Sequence, residues 1–391
     1  MLLRTVAVCC ALGASALPTL RSTPGVAILS TWRGWGTSIA WWGNTAFGPR
    51  ADIADAFWTL SPNVTLAGLR APLPALGLTI GRYNAGGCGD ATVNGSKVVY
   101  SPSIPPFKQV RGFWRDGLSA DPTSPSWDWS ADAMQVAAAT AASARGAEIE
   151  VFSNSPMWWM LVNRNPSGSN DGSSDNLLPQ YHGAHATYMS IVAAQLSRVH
   201  NWTLTSVEAF NEPGADWWKA SGTQEGCHFS PATQAAVLPL LRPALTSAGA
   251  PPSVLVASSD ESQFSQAIAG WKVLAAAGAT RSIDVFNVHG YEPSGDRATL
   301  KQLVNGAGKR IRMSEHGEGD ATGAQLATAV LLDVYTLNAT SWVYWQLVRS
   351  FTVGGKVFFA RPPPHPTPSP SWTGVGGARL HRTCPTACSR R

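Results

Sequence analysis

The chain has 391 residues, of which 44% are hydrophobic and 14% are charged, a balance that excludes an intrinsically disordered protein. This length allows one barrel-sized domain of roughly 250–300 residues with some excess. The net charge of +5 comes from the five arginines of residues 361–391, because subtracting them leaves 24 basic and 24 acidic residues. No basic stripe with interleaved aromatic residues supports nucleic-acid binding.

The N-terminus predicts a signal peptide over residues 1–16. Arg4 supplies the positive start, Val6–Leu12 forms a short apolar segment, and Ala14-Ser15-Ala16 has the small residues of a cleavage site. The apolar segment is too short to span a membrane, and an N-terminal anchor or a plain extension is the alternative. Four glycosylation sequons also fit export: Asn63, Asn94, Asn201 and Asn338. We therefore expect a protein that is secreted, or released into the endomembrane lumen, without stable membrane insertion.

Strand-like and helix-like segments alternate from about residue 30 to residue 347. In chain order, the predicted strands are Ser38–Trp42, Leu78–Asn84, Glu148–Asn154, Ser206–Phe210, Ser253–Ala257, Asp284–His289, Arg310–Ser314 and Ser341–Gln346. The predicted helices that follow them are Ala51–Leu60, Ser130–Arg145, His182–Val199, Pro231–Ser247, Gln263–Ala277, Asp296–Val304 and Thr322–Leu337. This alternation predicts a parallel sheet of the α/β class, and the count fits a closed (β/α)8 TIM barrel. An open, doubly wound sheet is the alternative, but no Gly-x-Gly-x-x-Gly motif follows a strand to support nucleotide binding.

Polar and aromatic side chains come at or after the ends of these strands, and the C-terminal strand ends of a barrel meet at one face. The candidates are Arg82 and Asn84 on the second strand; Asn154, Trp158 and Trp159 after the third; Asn211, Glu212, Trp217 and Trp218 after the fourth; His289 and Tyr291 after the sixth; and Glu315 and Trp345 on the last two. Hydrolysis of a glycosidic bond needs two carboxyl groups beside it, and Glu212 and Glu315 lie three strands apart across the barrel mouth. Because indole rings pack on the C–H faces of sugars, we predict a glycan substrate, with no metal or organic cofactor.

Three neighbours of the two carboxylates have predicted supporting roles. Asn211 is positioned to bond a sugar 2-hydroxyl. Arg82 and Tyr291 are candidates to keep Glu315 ionised and oriented, because a nearby cation lowers the pKa of a carboxylate.

Other acidic residues leave alternatives. Glu318 and Asp320 lie just beyond Glu315 and compete for its role. Glu208 is expected inside the barrel and is not a candidate. Each tryptophan, taken singly, could also belong to the core.

The motifs that contain these residues resemble glycoside hydrolase family 30, in the large clan of barrel glycosidases. The matching pieces are Arg33–Trp42, Arg82–Asn84, Asn154–Met160, Phe210–Pro213, Trp217–Lys219, Gln224–Phe229, Ser314–Gly317 and Trp342–Gln346. In that family the Glu of the Asn-Glu-Pro motif is the acid/base and the Glu of the Ser-Glu motif is the nucleophile, which implies these roles for Glu212 and Glu315 in a retaining reaction. The clan's arginine and tryptophan correspond to Arg82 and Trp345, and the first piece adds Trp42 to the expected substrate-binding residues.

Two of the motifs, Trp217–Lys219 and Gln224–Phe229, most resemble the endo-β-1,6-galactanases of the family. The resemblance therefore implies the β-1,6-galactan side chains of arabinogalactans as substrate. Glucosylceramidases and xylanases share the scaffold, so a β-glucosidase acting on glucosylceramide-like glycolipids is an alternative. A non-catalytic carbohydrate-binding barrel and an interaction protein that works through its basic tail are two others.

The chain departs from the family pattern at two places. His316 stands where a tyrosine often follows the nucleophile. The family also adds a β-sandwich beside the barrel, built mostly from the C-terminal segment, whereas this chain ends 46 residues after Trp345. We expect the barrel at residues 25–360 and a Pro- and Arg-rich disordered tail at 361–391, with the sandwich largely missing through domain loss or a shifted reading frame after about Ala360.

Four cysteines remain once the predicted signal peptide is removed. Cys88 and Cys227 come just past strand ends, so a disulfide between the loops after the second and fourth strands is predicted, with two unpaired thiols as the alternative. Cys384 and Cys388 have no second pair of ligands nearby, which argues against a metal site there. The sequence predicts no particular oligomeric state.

Overall fold

The strands predicted from the sequence close into one barrel. The computed structural model describes residues 31–320, 322–348, 351–353 and 356–358, so the predicted signal peptide and most of the C-terminal segment lie outside the described residues. Neighbouring strands pair in parallel from β1 to β8, and β8 pairs with β1 to close the sheet. The strands are β1 (Gly34–Ser38), β2 (Ile80–Asn84), β3 (Glu148–Phe152), β4 (Thr203–Glu208), β5 (Leu255–Glu261), β6 (Val285–His289), β7 (Arg310–His316) and β8 (Ala339–Tyr344).

One α-helix follows each of the first seven strands within the described part of the chain. The helices are α1 (Ala51–Trp58), α2 (Ala133–Ser143), α3 (His182–His200), α4 (Pro231–Ser247), α5 (Phe264–Ala276), α6 (Arg297–Gly306) and α7 (Ala324–Tyr335). Ser230 caps α4 as predicted, because its side chain accepts a hydrogen bond from the Thr233 backbone N–H at 3.3 Å.

The apolar core forms a shell between the strands and the helices, and the inside of the barrel is polar. On β3, Ile149 and Val151 belong to the apolar core, and the intervening Glu150 pairs with Arg312 of β7. The Arg312 Nη1 atom lies 2.7 Å from Glu150 Oε1 and donates to the Ser206 hydroxyl at 3.0 Å. Because successive residues of a strand point to opposite faces, alternate positions place charged side chains inside the barrel.

The first strand lies four residues earlier than predicted, at Gly34–Ser38 and not at Ser38–Trp42. Its glycines permit a close approach to β2. A Cβ atom on Gly36 would lie 2.5 Å from the Ile80 carbonyl oxygen, and Gly34 has a φ of +143°. The glycine-rich segment that resembles an entry loop in the sequence is the strand itself.

Among the other boundaries that differ from the prediction, those of α2, β4 and β5 differ as follows. Helix α2 begins at Ala133, because the Ser130 hydroxyl donates to Asp128 in the preceding turn and does not cap the helix. Strand β4 ends at Glu208, so the residues that follow it lie in a loop. Strand β5 continues to Glu261, beyond the predicted end at Ala257.

The predicted disulfide between Cys88 and Cys227 is wrong, because both thiols are free and buried. Each has another partner. The Cys88 thiol donates to the Glu225 carboxylate, and the Cys227 thiol donates to the His228 carbonyl oxygen at 3.5 Å. Burial raises the pKa of both thiols, so neither is a thiolate near neutral pH.

A short antiparallel pair follows the barrel, formed by β9 (Phe351–Val353) and β10 (Lys356–Phe358). The prediction that the domain covers residues 25–360 stays a prediction at both of its ends. None of the helices in the described ranges combines the length and the apolar character needed to cross a membrane.

Candidate active site

The C-terminal strand ends surround a cavity of about 420 Å³. Its lining residues are Trp41, Asn211, Glu212, Trp217, Trp218, Gly222, Thr223, Gln224, Tyr291, Glu315 and Trp345. Seven of these eleven are residues singled out from the sequence, so the strand-end argument points to the face of the barrel that holds this cavity.

Glu315, near the end of β7, accepts two hydrogen bonds on its carboxylate. Arg82 on β2 donates from Nη1 to Oε2 at 2.7 Å, and the Tyr291 hydroxyl donates to Oε1 at 2.8 Å. The Arg82 guanidinium lies 3.5 Å from the centroid of the Phe152 ring, which packs on its face. Burial raises the pKa of Glu315, and the nearby charges of His289 and Arg82 oppose that rise.

Glu212 lies in the loop after β4, where hydrogen bonds hold its backbone on both sides. Its N–H donates to the Asp260 carbonyl oxygen at 2.8 Å, and its own carbonyl accepts from the Trp218 indole N–H at 2.9 Å. These bonds hold the residue in the left-handed region, with a φ of +48°. The side chain is thereby presented to the cavity.

His289, at the end of β6, lies between the two carboxylates. Its Nδ1 atom is 3.2 Å from Glu212 Oε1 and 3.6 Å from Glu315 Oε1. On the other side, Nε2 is 3.3 Å from Asp260 Oδ1, an ion-pair contact without hydrogen-bond alignment. Burial lowers the pKa of His289, but the charges of Glu315 and Asp260 raise it further, to about 10. His289 is therefore a cation at neutral pH.

One oxygen of Glu212, one oxygen of Glu315 and one ring nitrogen of His289 all lie within 4.8 Å of one another. Three such atoms have the spacing of a metal site. A ring nitrogen that carries a proton cannot act as a ligand, however, so a metal ion would have to displace that proton.

Asp260 on β5 is the charged residue of the site that the sequence analysis missed. Its carboxylate pairs with Arg82, faces His289 and accepts from the Ser314 hydroxyl. Burial would raise its pKa, but the two cations hold that pKa well below its usual range. The predicted strand stopped at Ala257, although two serines followed by two acidic residues directly after an apolar segment were an available signal.

Aromatic rings form two sides of the cavity. Trp41 and Trp345 meet edge to face with ring centroids 5.0 Å apart. Trp217 is 42% exposed at the rim, beside the buried Trp218. Both pairs offer the apolar faces on which a sugar ring packs.

The other four cavity residues were not singled out from the sequence. Trp41 belongs to the family-like segment Arg33–Trp42, from which only its neighbour Trp42 was singled out. Gly222, Thr223 and Gln224 lie in the loop after β4, and only Gln224 is part of a motif that the resemblance contains. Arg82 and His289 do not line the cavity but contact its carboxylates from below.

Five residues predicted to bind substrate lie away from the cavity lining: Trp42, Asn84, Asn154, Trp158 and Trp159. Trp42 turns into the core, where its indole N–H donates to the Ser38 carbonyl at 2.7 Å and its ring packs on Phe57. Trp158 is fully buried in a short helical turn, and its neighbour Trp159 bonds and packs against Trp114. These rings are core residues, the alternative that composition had left open.

The two asparagines connect loops. The Asn84 Oδ1 atom accepts from the Asn154 backbone N–H at 3.0 Å, and the Asn84 Nδ2 atom donates to Glu225 at 3.1 Å. Both asparagines are fully buried. The Asn84 amide is therefore directed at the protein, whereas the side-chain amide of Asn154 is buried without a hydrogen-bond partner among the described residues.

The competing acidic residues are also away from the cavity lining. Asp320 accepts from the backbone N–H groups of Thr322 and Gln325, at 2.9 and 3.0 Å, in the turn that begins α7. Glu318 is half-buried beside it. Glu208 is buried, as expected, and burial raises its pKa well above the usual range.

The sequence matches the family described as O-glycosyl hydrolase family 30 over residues 72–306. It is 47% identical to an endo-β-1,6-galactanase of Hypocrea rufa over 321 aligned residues. These residues make up 81% of this chain and 65% of that protein. It is 22% identical to an exo-β-1,6-galactobiohydrolase of Bifidobacterium longum subsp. longum, covering 84% of this chain and 27% of that protein. The chain thus spans less than two thirds of the length of either relative.

Solved structures give the same fold. The catalytic domain of a family 30 xylanase C from Talaromyces cellulolyticus matches with a TM-score of 0.57 and 19% identity, over 84% of this chain and 73% of that one. A conserved exported protein from Bacteroides fragilis matches with a TM-score of 0.60 and 16% identity, over 81% and 70% of the two chains. At such identities the likeness supports the barrel fold alone.

Proposed function

The chain belongs to glycoside hydrolase family 30, and on that premise we propose that it is a retaining β-glycoside hydrolase that cleaves β-1,6-galactan. The observation that carries the proposal is the pair of carboxylates in one cavity, Glu212 and Glu315, with oxygens within 4.8 Å of each other. Retaining glycosidases have about 5–5.5 Å between their two carboxyl groups, whereas inverting enzymes need about 6.5–9.5 Å to admit a water. The short separation supports direct attack by one of the carboxylates.

In the proposed reaction Glu315 is the nucleophile. Its carboxylate oxygen attacks the anomeric carbon while the bond from that carbon to the leaving oxygen breaks, and Glu212 gives its proton to that oxygen. The result is a covalent glycosyl-enzyme. Glu212, now ionised, takes a proton from a water molecule, whose oxygen attacks the same carbon and releases Glu315 with net retention of configuration.

The surroundings of the two carboxylates support this division of roles. Glu315 faces the cations of Arg82 and His289 and accepts from Tyr291, and all three contacts favour its ionised form. Among these groups Glu212 contacts only His289, whose Nδ1 atom lies 3.2 Å from Glu212 Oε1.

Asn211 is suited to bind the sugar beside the breaking bond. It lines the cavity next to Glu212, and its Oδ1 atom accepts from Arg82 Nη2 at 2.9 Å. Because the oxygen is occupied, its amide nitrogen is left to donate. A sugar 2-hydroxyl is the acceptor we propose.

The galactan substrate is supported by the 47% identity to a protein named endo-β-1,6-galactanase. Trp217, Trp218 and Gln224 belong to the two motifs that most resemble such enzymes, and all three line the cavity. The most galactanase-like parts of the sequence therefore border the space in which a substrate would bind.

Export remains part of the proposal. Three of the four sequon asparagines, Asn63, Asn94 and Asn201, are exposed, which a glycosylated surface requires. Recovery of the protein from the medium with N-linked glycans at these residues would support secretion, and retention inside the cell without glycans would contradict it.

The test is hydrolysis of β-1,6-galactan by the full chain beside three isosteric variants, Glu212→Gln, Glu315→Gln and Glu318→Gln. We expect the first two to lose roughly 10²–10⁴-fold in kcat/KM. The third removes a nearby carboxylate that does not line the cavity and should retain the wild-type rate. Circular dichroism of every variant establishes that it is folded.

The products separate the alternatives. Nuclear magnetic resonance shows the anomeric configuration of the first product. A β product supports retention, and an α product contradicts the mechanism. Cleavage of a glucosyl lipid with galactan untouched would replace the substrate. Sugar binding without turnover by folded protein would favour a binding barrel, and salt-sensitive binding lost on deletion of residues 361–391 would favour a role of the basic tail.

A further inference from the structure

One wall of the cavity has no regular secondary structure. We define the cavity wall as Gly222–Gln224, three residues of the loop after β4 that line the cavity. The residue that follows, Glu225, is fully buried and is not used by the mechanism above. A buried carboxylate directly beside a loop that borders the substrate space needs a physical account.

The contacts of Glu225 all reach the chain at the end of β2. Its Oε1 atom accepts from the backbone N–H groups of Gly87 and Cys88, at 2.9 and 3.2 Å. Its Oε2 atom accepts from the Asn84 amide at 3.1 Å, and the Cys88 thiol donates to the same carboxylate. One side chain thus joins the loop after β4 to the loop after β2 through four donors.

Backbone hydrogen bonds hold the other side of the wall. The Ala220 N–H donates to the Ser169 carbonyl at 2.7 Å, and the Gly226 N–H donates to the Pro166 carbonyl at 2.9 Å. A Cβ atom on Gly226 would lie 2.0 Å from the Trp218 ring, so this turn also packs against a cavity tryptophan. Backbone hydrogen bonds to the loop after β3 therefore hold the wall on one side. On the side that faces β2, the carboxylate of Glu225 holds it.

We propose that Glu225 is a positioning residue that holds the cavity wall and Trp218 in place and thereby sets the affinity for the sugar units that bind there. This inference rests on the proposed glycosidase function. The hydrogen bonds of Glu225 reach neither of the carboxylates that break the bond, so it acts on substrate binding more than on the chemical step. Burial raises the pKa of Glu225 and its donors oppose that rise, with a net value of about 7.

The direction of the hydrogen bond between Asn84 and Glu225 follows from the other partner of Asn84. The Asn154 backbone N–H can only donate, so the Asn84 atom facing it is the oxygen, and the amide nitrogen then faces Glu225. In Glu225→Gln, either orientation of the new amide puts its NH2 group against a donor. In Asn84→Asp, two carboxylates face each other. Each single change therefore breaks the connection.

The double variant Asn84→Asp/Glu225→Gln reverses the polarity of the pair and restores it. The amide introduced at position 225 would donate to the carboxylate introduced at position 84, which still accepts from Asn154. The amide oxygen at position 225 still accepts from the backbone N–H groups of Gly87 and Cys88. The net charge is unchanged. Recovery by this variant is a result that a general loss of stability cannot produce.

The experiment measures two quantities in the full chain: hydrogen exchange of the amides of residues 220–226, and KM and kcat on β-1,6-galactan. We expect faster exchange in the wall of both single variants, slow exchange in the strands, and a rise in KM of roughly tenfold with little change in kcat. The double variant should return both exchange and KM towards wild type.

Asp333→Asn is the matched control. Asp333 is also fully buried and accepts from Arg297 at 2.7 Å and from Trp342 at 3.0 Å, away from the wall. We expect it to lower the melting temperature without raising KM. If Glu225→Gln behaves like this control, with unchanged wall exchange and KM, the proposal is overturned. If the wild type leaves galactan and related glycans intact, the proposed function fails, and wall exchange alone decides the role of Glu225.

Discussion

Two aspartates of this molecule are equally buried and titrate in opposite directions. Asp260 at the barrel mouth is 0% exposed and Asp132 at the start of α2 is 2% exposed. Asp260 faces the cations of Arg82 and His289, and its pKa is held well below its usual range. Asp132 accepts only from the Tyr83 phenol, at 2.6 Å, and from a glutamine amide, and burial raises its pKa to about 8.

The difference teaches that, for these two aspartates, the charge of the partner and not the depth of burial decides the direction of the pKa shift. Neutral donors offset only part of the loss of water, whereas a cation can offset all of it. The barrel mouth therefore keeps its charges for chemistry, and the surrounding loops use buried acids such as Glu225 to hold their shape.

The strongest way to break this comparison is Asp260→Asn. The change removes one of the buried carboxylates that face Arg82 and His289, so we expect the free energy of unfolding to fall by about 3–5 kcal/mol at neutral pH. A carboxylate whose pKa is lower in the folded than in the unfolded state stabilises the fold at pH values above its unfolded-state pKa. That stabilisation is lost as the pH falls through its folded-state pKa. The gap between wild type and variant in urea denaturation should thus shrink in acid. Equal stability at pH 7 would contradict the account.

Asp132→Asn should act with the opposite sign. The folded pKa of about 8 lies above the unfolded value near 3.8, so wild-type stability is lost as pH rises between these values. The amide removes that loss, and we expect the variant to be more stable than wild type at pH 8 by on the order of a few kcal/mol, and about equal at pH 4. Melting curves across this range test it. A variant that is less stable at pH 8 would show that Asp132 is ionised after all.

Tyr291→Phe sharpens the comparison at the nucleophile. It removes one donor to the Glu315 carboxylate, and a hydrogen bond to a charged group contributes about 1.5–3 kcal/mol, so kcat should fall roughly tenfold or more. The acidic limb of the pH–rate profile should also move to higher pH, because Glu315 becomes harder to ionise. Tyr335→Phe, on an exposed ring, is the control. An unchanged profile would mean that Tyr291 does not influence the ionisation of Glu315.

The smallest expected effect is that of Trp217→Ala, where no buried charge is involved. Loss of one exposed stacking face should cost about 0.5–1.5 kcal/mol of binding, which is a severalfold rise in KM with kcat nearly unchanged. Leu118→Ala, at an exposed apolar residue outside the cavity, provides the comparison. A fall in kcat without a change in KM would assign Trp217 a different role.

The sequence predicted the barrel and its two carboxylates because both depend on local rules. Alternation of strands and helices gives the topology. Glu315 lies within β7, and Glu212 comes four residues after the end of β4. The first strand was placed four residues too late because glycine propensity hid a strand that needs glycine for close packing.

Residues whose roles depend on long-range partners were beyond sequence reasoning. Asp260 becomes visible as a site residue only once β2 and β6 bring Arg82 and His289 to it. The free thiol of Cys88 likewise depends on Glu225, which comes from a loop 137 residues away. Contacts of this kind have no local pattern.

The ion pair between Arg82 and Asp260 has a consequence for how the chain is made. Its partners are 178 residues apart, and Glu315 is 233 residues from Arg82. At a synthesis rate of roughly 5–20 residues per second, Arg82 leaves the ribosome about 9–36 s before Asp260. A half-barrel completed in that interval would enclose a guanidinium without the two carboxylates that form its ion pairs, Asp260 and Glu315. We therefore expect the nascent barrel to stay open until β5 and β7 have emerged, and then to close in one late, cooperative step.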